Sequence, residues 1–147
     1  DFPREGNGWS YHYCRRQWSL ADNENLKYSD LQAFDRDTVH FLQKRKVLGY
    51  ADCQLYLHNE DKVLFYSKGD TYFGFNFHPT RSYEGIWLPV HHEGVYQVVS
   101  STDDYCYGGW GRIHHKNYEA VEIQPGQWAI QVYLPARTAV TIVLVER

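Results

Sequence analysis

The hydrophobic rhythm of this chain changes once, near Gly49, and the change restricts what the chain can fold into. Before it, Leu31, Phe34, Thr38, Phe41 and Leu42 fall at offsets of three, seven, ten and eleven, one stripe of an amphipathic helix. Asp35, Arg36, Asp37 and Gln43 take the opposite side. Ser29 and Gln32 have the spacing of a capping box, so a helix is expected to begin at Ser29, with Gly49 as its stop. Residues 10–21 lack Gly and Pro and end at the turn formers Asp22-Asn23, which reads as an earlier helix. Beyond Tyr50 the period becomes two. Strands are expected at 54–58, 63–67, 71–77, 84–88, 95–100, 120–123, 128–134 and 139–145. Asn59-Glu60-Asp61-Lys62 makes the first hairpin turn, and 71–77, rich in aromatics, reads as a central strand. In 139–145, Val140, Ile142 and Leu144 share one face and Thr141, Val143 and Val145 the other, so both faces should be covered. Many short strands separated by turns argue for an antiparallel β-sandwich. The expected fold is mainly β, with helical residues 1–48 ahead of a sandwich over residues 50–147.

Composition narrows the function. Net charge is −3 and the one basic cluster, Lys44-Arg45-Lys46, sits at an expected helix end, where cations suit the carbonyl dipole. Nucleic acid is therefore not the expected partner. No apolar run reaches the roughly 20 residues of a membrane-spanning helix. Cys14, Cys53 and Cys106 are odd in number and widely spaced, which fits a reducing compartment, and a cytoplasmic location is expected. Aromatic residues stand out: 13 Tyr, 7 Phe and 5 Trp. Such rings fill cores, and they also stack on the apolar faces of sugars.

Few constellations carry chemistry. The adjacent carboxylates Glu60-Asp61 and Asp103-Asp104 lie in expected turns and read as solvated turn residues. His91-His92 and His114-His115 are adjacent in loops, a poor spacing for converging on a metal. No metal or cofactor is expected. Gly108-Gly109-Trp110-Gly111 lies within the longest irregular stretch, 101–117, where its glycines let the backbone turn through positive φ. Trp128 alternates with Ile130 and Val132 and is assigned to the core, while the burial of Trp87 stays open. Trp110 has two readings, an exposed platform for a sugar ring or a loop residue packed over the sandwich edge.

The opening DFPREGNGWSYHYCRRQW, residues 1–18, closely resembles the segment after the last barrel strand of 1,4-α-glucan (glycogen or starch) branching enzymes, in the α-amylase superfamily. Supporting blocks are Leu26-Lys27-Tyr28, Ala33-Phe34-Asp35-Arg36-Asp37, Gly74-Phe75-Asn76-Phe77-His78-Pro79, and Gly108-Gly109 followed by Gly111-Arg112. The resemblance runs over essentially the whole chain. It implies that residues 1–48 are the loop and helices closing a (β/α)8 barrel, and that 50–147 are the C-terminal all-β domain. It also implies a parent that cleaves α-1,4 bonds with retention through two carboxyl groups and passes the glucan to a 6-hydroxyl.

The family's catalytic carboxylates belong to motifs upstream of Asp1, so no residue here inherits a catalytic role. The chain alone is expected to be inactive, and structural or glucan-contacting. Because loops after barrel strands form the active-site face, Arg4, Glu5, Asn7 and Trp9 are candidates for lining the glucan cleft. Their alternative is bracing that loop from beneath. Trp110 is the candidate sugar contact within the sandwich. Expected partners are an α-glucan and the catalytic barrel. Cut off from that barrel, residues 1–48 should fold back on the sandwich or mediate self-association. The alternative reading of the whole chain is a free-standing α-glucan-binding module without catalysis.

Overall fold

The computed structural model describes residues 18–147. A four-residue helix, α1 (Trp18–Ala21), precedes the long helix α2 (Tyr28–Lys44). The capping-box expectation is not met. Lys27 occupies the N-cap position with no side-chain hydrogen bond, and Ser29 already lies inside the first turn. The C-terminal stop also differs. Lys46 takes the left-handed conformation at φ 52°, and a 3-10 turn (Val47–Gly49) follows before the first strand. Along the apolar stripe Phe34, Thr38, Phe41 and Leu42 are half-buried, whereas Leu31 is 63% exposed at the mouth of a shallow groove.

Nine antiparallel strands follow among the described residues: β1 (Asp52–His58), β2 (Val63–Lys68), β3 (Thr71–Asn76), β4 (Tyr83–Val90), β5 (Val95–Ser101), β6 (Asn117–Glu119), β7 (Val121–Gln124), β8 (Gln127–Leu134) and β9 (Thr138–Glu146). They form a six-stranded sheet in the order β1-β2-β3-β9-β5-β6 and a three-stranded sheet in the order β4-β8-β7. The chain is therefore an antiparallel β-sandwich, with β3 internal to its sheet. Strand β6 is the element that sequence reading missed: one buried Tyr118 between two exposed neighbours is too short to show an alternation. Strand β4 continues through Pro89, which pairs with Ala129. It tolerates the proline because it is an edge strand.

The core lies between the two sheets. Val63, Phe65, Tyr72, Tyr96, Val98, Val140 and Ile142 come from the large sheet, and Leu88, Val90, Ile130, Val132 and Leu134 from the small one. Gly74 leaves room there: a Cβ would stand 3.0 Å from Val140 and 3.3 Å from Phe65. Trp128 packs half-buried on this core, while Trp87 is 44% exposed.

The outer face of the large sheet is unusually apolar. Tyr66 stacks on Phe73 and Phe75 at centroid distances of 5.2 and 6.0 Å, and Phe75 stacks on Phe77 at 5.6 Å. Helix α2 lies over part of this face. Phe34, Thr38, Leu42, Val47 and Leu48 enclose, with Tyr66, Phe73, Phe75 and Thr141, a cavity of about 440 Å³. On β9 the outward-facing Val143 is buried but Val145 is exposed, so cover stops short of the strand's end.

Asn76 ties the sheets together at the end of β3. Its buried amide donates to the carbonyls of Arg81 (2.9 Å) and Leu134 (3.0 Å) and accepts from the His78 N–H (2.9 Å). Replacing it by the similarly sized Leu leaves those backbone groups unanswered. Asn76→Leu is expected to lower unfolding stability by about 2–4 kcal/mol, read from urea denaturation at unchanged slope.

Candidate functional site

The connection from β5 to β6 is built around one carboxylate. Asp103 is only 5% exposed. It accepts the Arg112 N–H at 2.7 Å, the Arg112 side chain through Nε at 3.1 Å and Nη2 at 2.8 Å, and the Trp110 N–H at 3.5 Å. Its own N–H donates to the Ser101 hydroxyl, and its carbonyl accepts from Gly111 at 2.7 Å. The expectation that Asp103-Asp104 are solvated turn residues is therefore wrong. Asp104 accepts the Ser101 N–H at 2.9 Å and lies 2.9 Å from His115 Nε2, so both neighbours organise the loop. Asp61, in the other pair, does occupy a turn, where it binds Arg81 at 3.2 Å.

The glycines are required for two different reasons. Gly108 (φ 73°) and Gly111 (φ 64°) occupy the left-handed region that sequence reading assigned to them. Gly109 is needed for a different cause: a Cβ there would run into the backbone of Asp103. The Tyr105 ring lies on Gly111, leaving no room for a side chain at that position.

The loop is pinned to α2 through Tyr107. Tyr107, in the 3-10 turn Tyr105–Tyr107, meets Phe34 edge-on at 5.2 Å and donates to the Asp37 carboxylate at 3.1 Å. Burial, reinforced by that carboxylate, pushes the Tyr107 phenol up to about 12. Elsewhere in the loop Trp110 is 66% and Tyr105 78% exposed. The Arg112 guanidinium lies 4.9 Å from the Trp110 ring centroid.

Of the candidate glucan-contacting residues, Trp110 is thus exposed, whereas Arg4, Glu5, Asn7 and Trp9 lie outside the described residues. Among the described residues no three His, Cys, Asp or Glu side chains converge as metal ligands. His91 instead shares a 2.8 Å hydrogen bond with Ser67. In the sequence Asp103 was read as a solvated turn residue, Arg112 only as part of a family block, and Tyr105 was given no role. The only signal was an Asp and an Arg bracketing the glycines.

Residues 56–145, most of the sandwich, match the family model described as alpha amylase, C-terminal all-beta domain. The chain belongs to that family. As a whole, this α-amylase C-terminal all-β chain is 39% identical to the 1,4-alpha-glucan-branching enzyme of Debaryomyces hansenii, in an alignment covering 100% of the chain and 22% of that protein. It is 39% identical to the chloroplastic/amyloplastic 1,4-alpha-glucan-branching enzyme of Oryza sativa subsp. japonica, over 86% of the chain and 16% of the relative. The 1,4-alpha-glucan-branching enzyme of Solanum tuberosum is 42% identical over 78% of the chain and 14% of its own length. The chain therefore spans between 14% and 22% of these relatives. No helix among the described residues is long and apolar enough to cross a membrane.

The buried carboxylate gives the all-β domain an acid sensitivity. Burial pushes the Asp103 pKa up, but the hydrogen bonds from the Arg112 side chain and backbone, the Arg112 charge and the Trp110 N–H outweigh it, and the net direction is down. A carboxyl lowered on folding contributes stability above its unfolded value of about 3.9, and that contribution is lost as pH falls through the lower folded value. Asp103→Asn is expected to destabilise the chain at pH 7 and to cost progressively less below about pH 4. Urea midpoints of the two proteins across pH check this; a constant gap down to acid would assign the loss to packing alone.

Proposed function

We propose that this chain is the C-terminal portion of a 1,4-α-glucan branching enzyme, an all-β domain that braces the catalytic barrel and contacts the glucan without performing chemistry itself. The observation that carries the reading is 39% identity over the full chain to an enzyme of that name, of which the chain spans 22%. In that role the parent cleaves an α-1,4 bond and transfers the chain to a 6-hydroxyl, forming an α-1,6 branch. Retaining chemistry of this kind needs a nucleophilic and an acid/base carboxyl about 5–5.5 Å apart across the scissile bond. The carboxylates of the glycine-rich loop are otherwise engaged, Asp103 by Arg112 and Asp104 by the Ser101 N–H and His115. Their engagement supports inactivity of the chain alone.

Glucan contact falls to Arg4, Glu5, Asn7 and Trp9 on the barrel side and to Trp110 on the sandwich. The exposed apolar side chains Leu31, Val39, Leu48 and Tyr50 suit a face that packs against the barrel, or against a second copy when the barrel is missing. Each is worth roughly 1.5–3 kcal/mol if fully covered. The free thiols of Cys53 and Cys106 fit a cytoplasmic setting. A free-standing glucan-binding module is the second reading, favoured by the exposure of Trp110.

The test compares the complete open reading frame that encodes these residues with the 147-residue chain alone. Incubation of amylose with the longer product is expected to weaken iodine staining and create α-1,6 linkages, while the chain alone leaves staining unchanged. Branching by the isolated chain would overturn its assignment as non-catalytic. A reading frame that begins at these residues would move the conclusion to the free-standing module.

A further inference from the structure

The exposed residues of the glycine-rich loop have the makings of a ligand surface. Trp110 and Tyr105 are both more than half exposed, and the Tyr105 ring rests on Gly111, the residue that follows Trp110. The indole is held. Arg112 lies over its ring at 4.9 Å, and the guanidinium is itself fixed by the two-pronged bond to buried Asp103. A planar guanidinium favours this stacking, and it shields one region of the π system while leaving the rest open. Nε and Nη2 are taken by Asp103, and Nη1 has no hydrogen-bond partner among the described residues. The loop thus combines a held aromatic ring, a second exposed ring and a cationic donor stacked on the first.

A pyranose ring has matching chemistry. The face carrying axial C–H bonds is apolar and weakly positive, which suits the negative face of an indole. Its hydroxyls point outward around the rim, where they can accept from an N–H. We propose that Trp110 and Tyr105 form a platform for an α-1,4-linked glucan chain, with Nη1 of Arg112 donating to a sugar hydroxyl. The inference rests on the glucan-handling role proposed above, and it adds Tyr105 and Arg112 as binding residues.

Native gel electrophoresis of the 147-residue chain with glycogen or dextran in the gel, together with maltoheptaose titration, tests the platform. Retardation by glycogen but not by α-1,6-linked dextran is expected. Trp110→Ala should weaken maltoheptaose affinity roughly three- to tenfold, the scale of one ring-stacking contact. Trp110→Phe should recover part of the loss, and Tyr105→Ala and Arg112→Lys should each weaken binding with an unchanged circular dichroism spectrum. Equal retardation of the starting chain and Trp110→Ala, no retardation by glycogen, or equal retardation by dextran would each overturn the platform. Branching activity from the complete reading frame alongside any of these results would leave the enzyme assignment standing. Glucan binding through Trp110 without such activity would do the reverse.

Discussion

A carboxylate almost without water around it has to be answered by donors, and at Asp103 that demand shapes the whole connection between β5 and β6. Removing one partner from a buried charge pair costs several kcal/mol because the survivor is left unanswered. The Arg112 fork and two backbone N–H groups meet the demand here. Meeting it draws the chain after Gly108 back over Asp103, which leaves no space for a side chain at Gly109. The same closure turns Trp110 outward and sets Arg112 over it. The exposed ring and the buried charge are two ends of one arrangement.

Packing above the large sheet follows a different logic. Its inner face is filled by the small sheet, but its outer face carries a row of stacked aromatic rings that no strand among the described residues covers. Helix α2 provides partial cover, and Tyr107 joins helix and loop through Phe34 and Asp37. The helix, the loop and the sandwich are thereby mechanically connected. Enclosure is incomplete, as the cavity of about 440 Å³ and the exposed Leu31 both indicate.

Much of this was readable in the sequence because alternation is a direct imprint of a half-buried strand. The expected strand from 128 to 134 became Gln127–Leu134, and that from 139 to 145 became Thr138–Glu146. Where burial is decided by distant partners, local pattern failed. Ser-Thr-Asp-Asp-Tyr has the composition of a solvated turn, and nothing within it reveals that Asp103 is closed over by Arg112, nine residues later. The torsional demand at Gly108 and Gly111 was legible, but the steric one at Gly109 arises only once the loop has folded back. Ser29 misled for a related reason. A capping box states a local preference, and the packed helix begins one residue before it.

Pro89 has a meaning beyond tolerance of a ring in an edge strand. Strand β4 borders the small sheet, pairing with β8 on one side only. A free border with every N–H and C=O available is a template onto which another chain can add a strand, the first step of ordered aggregation. At Pro89 that border lacks a donor, so a continuous ladder cannot propagate along it. The residue that interrupts the sequence pattern of β4 is thus also a guard that keeps neighbouring sandwiches apart when many copies crowd together.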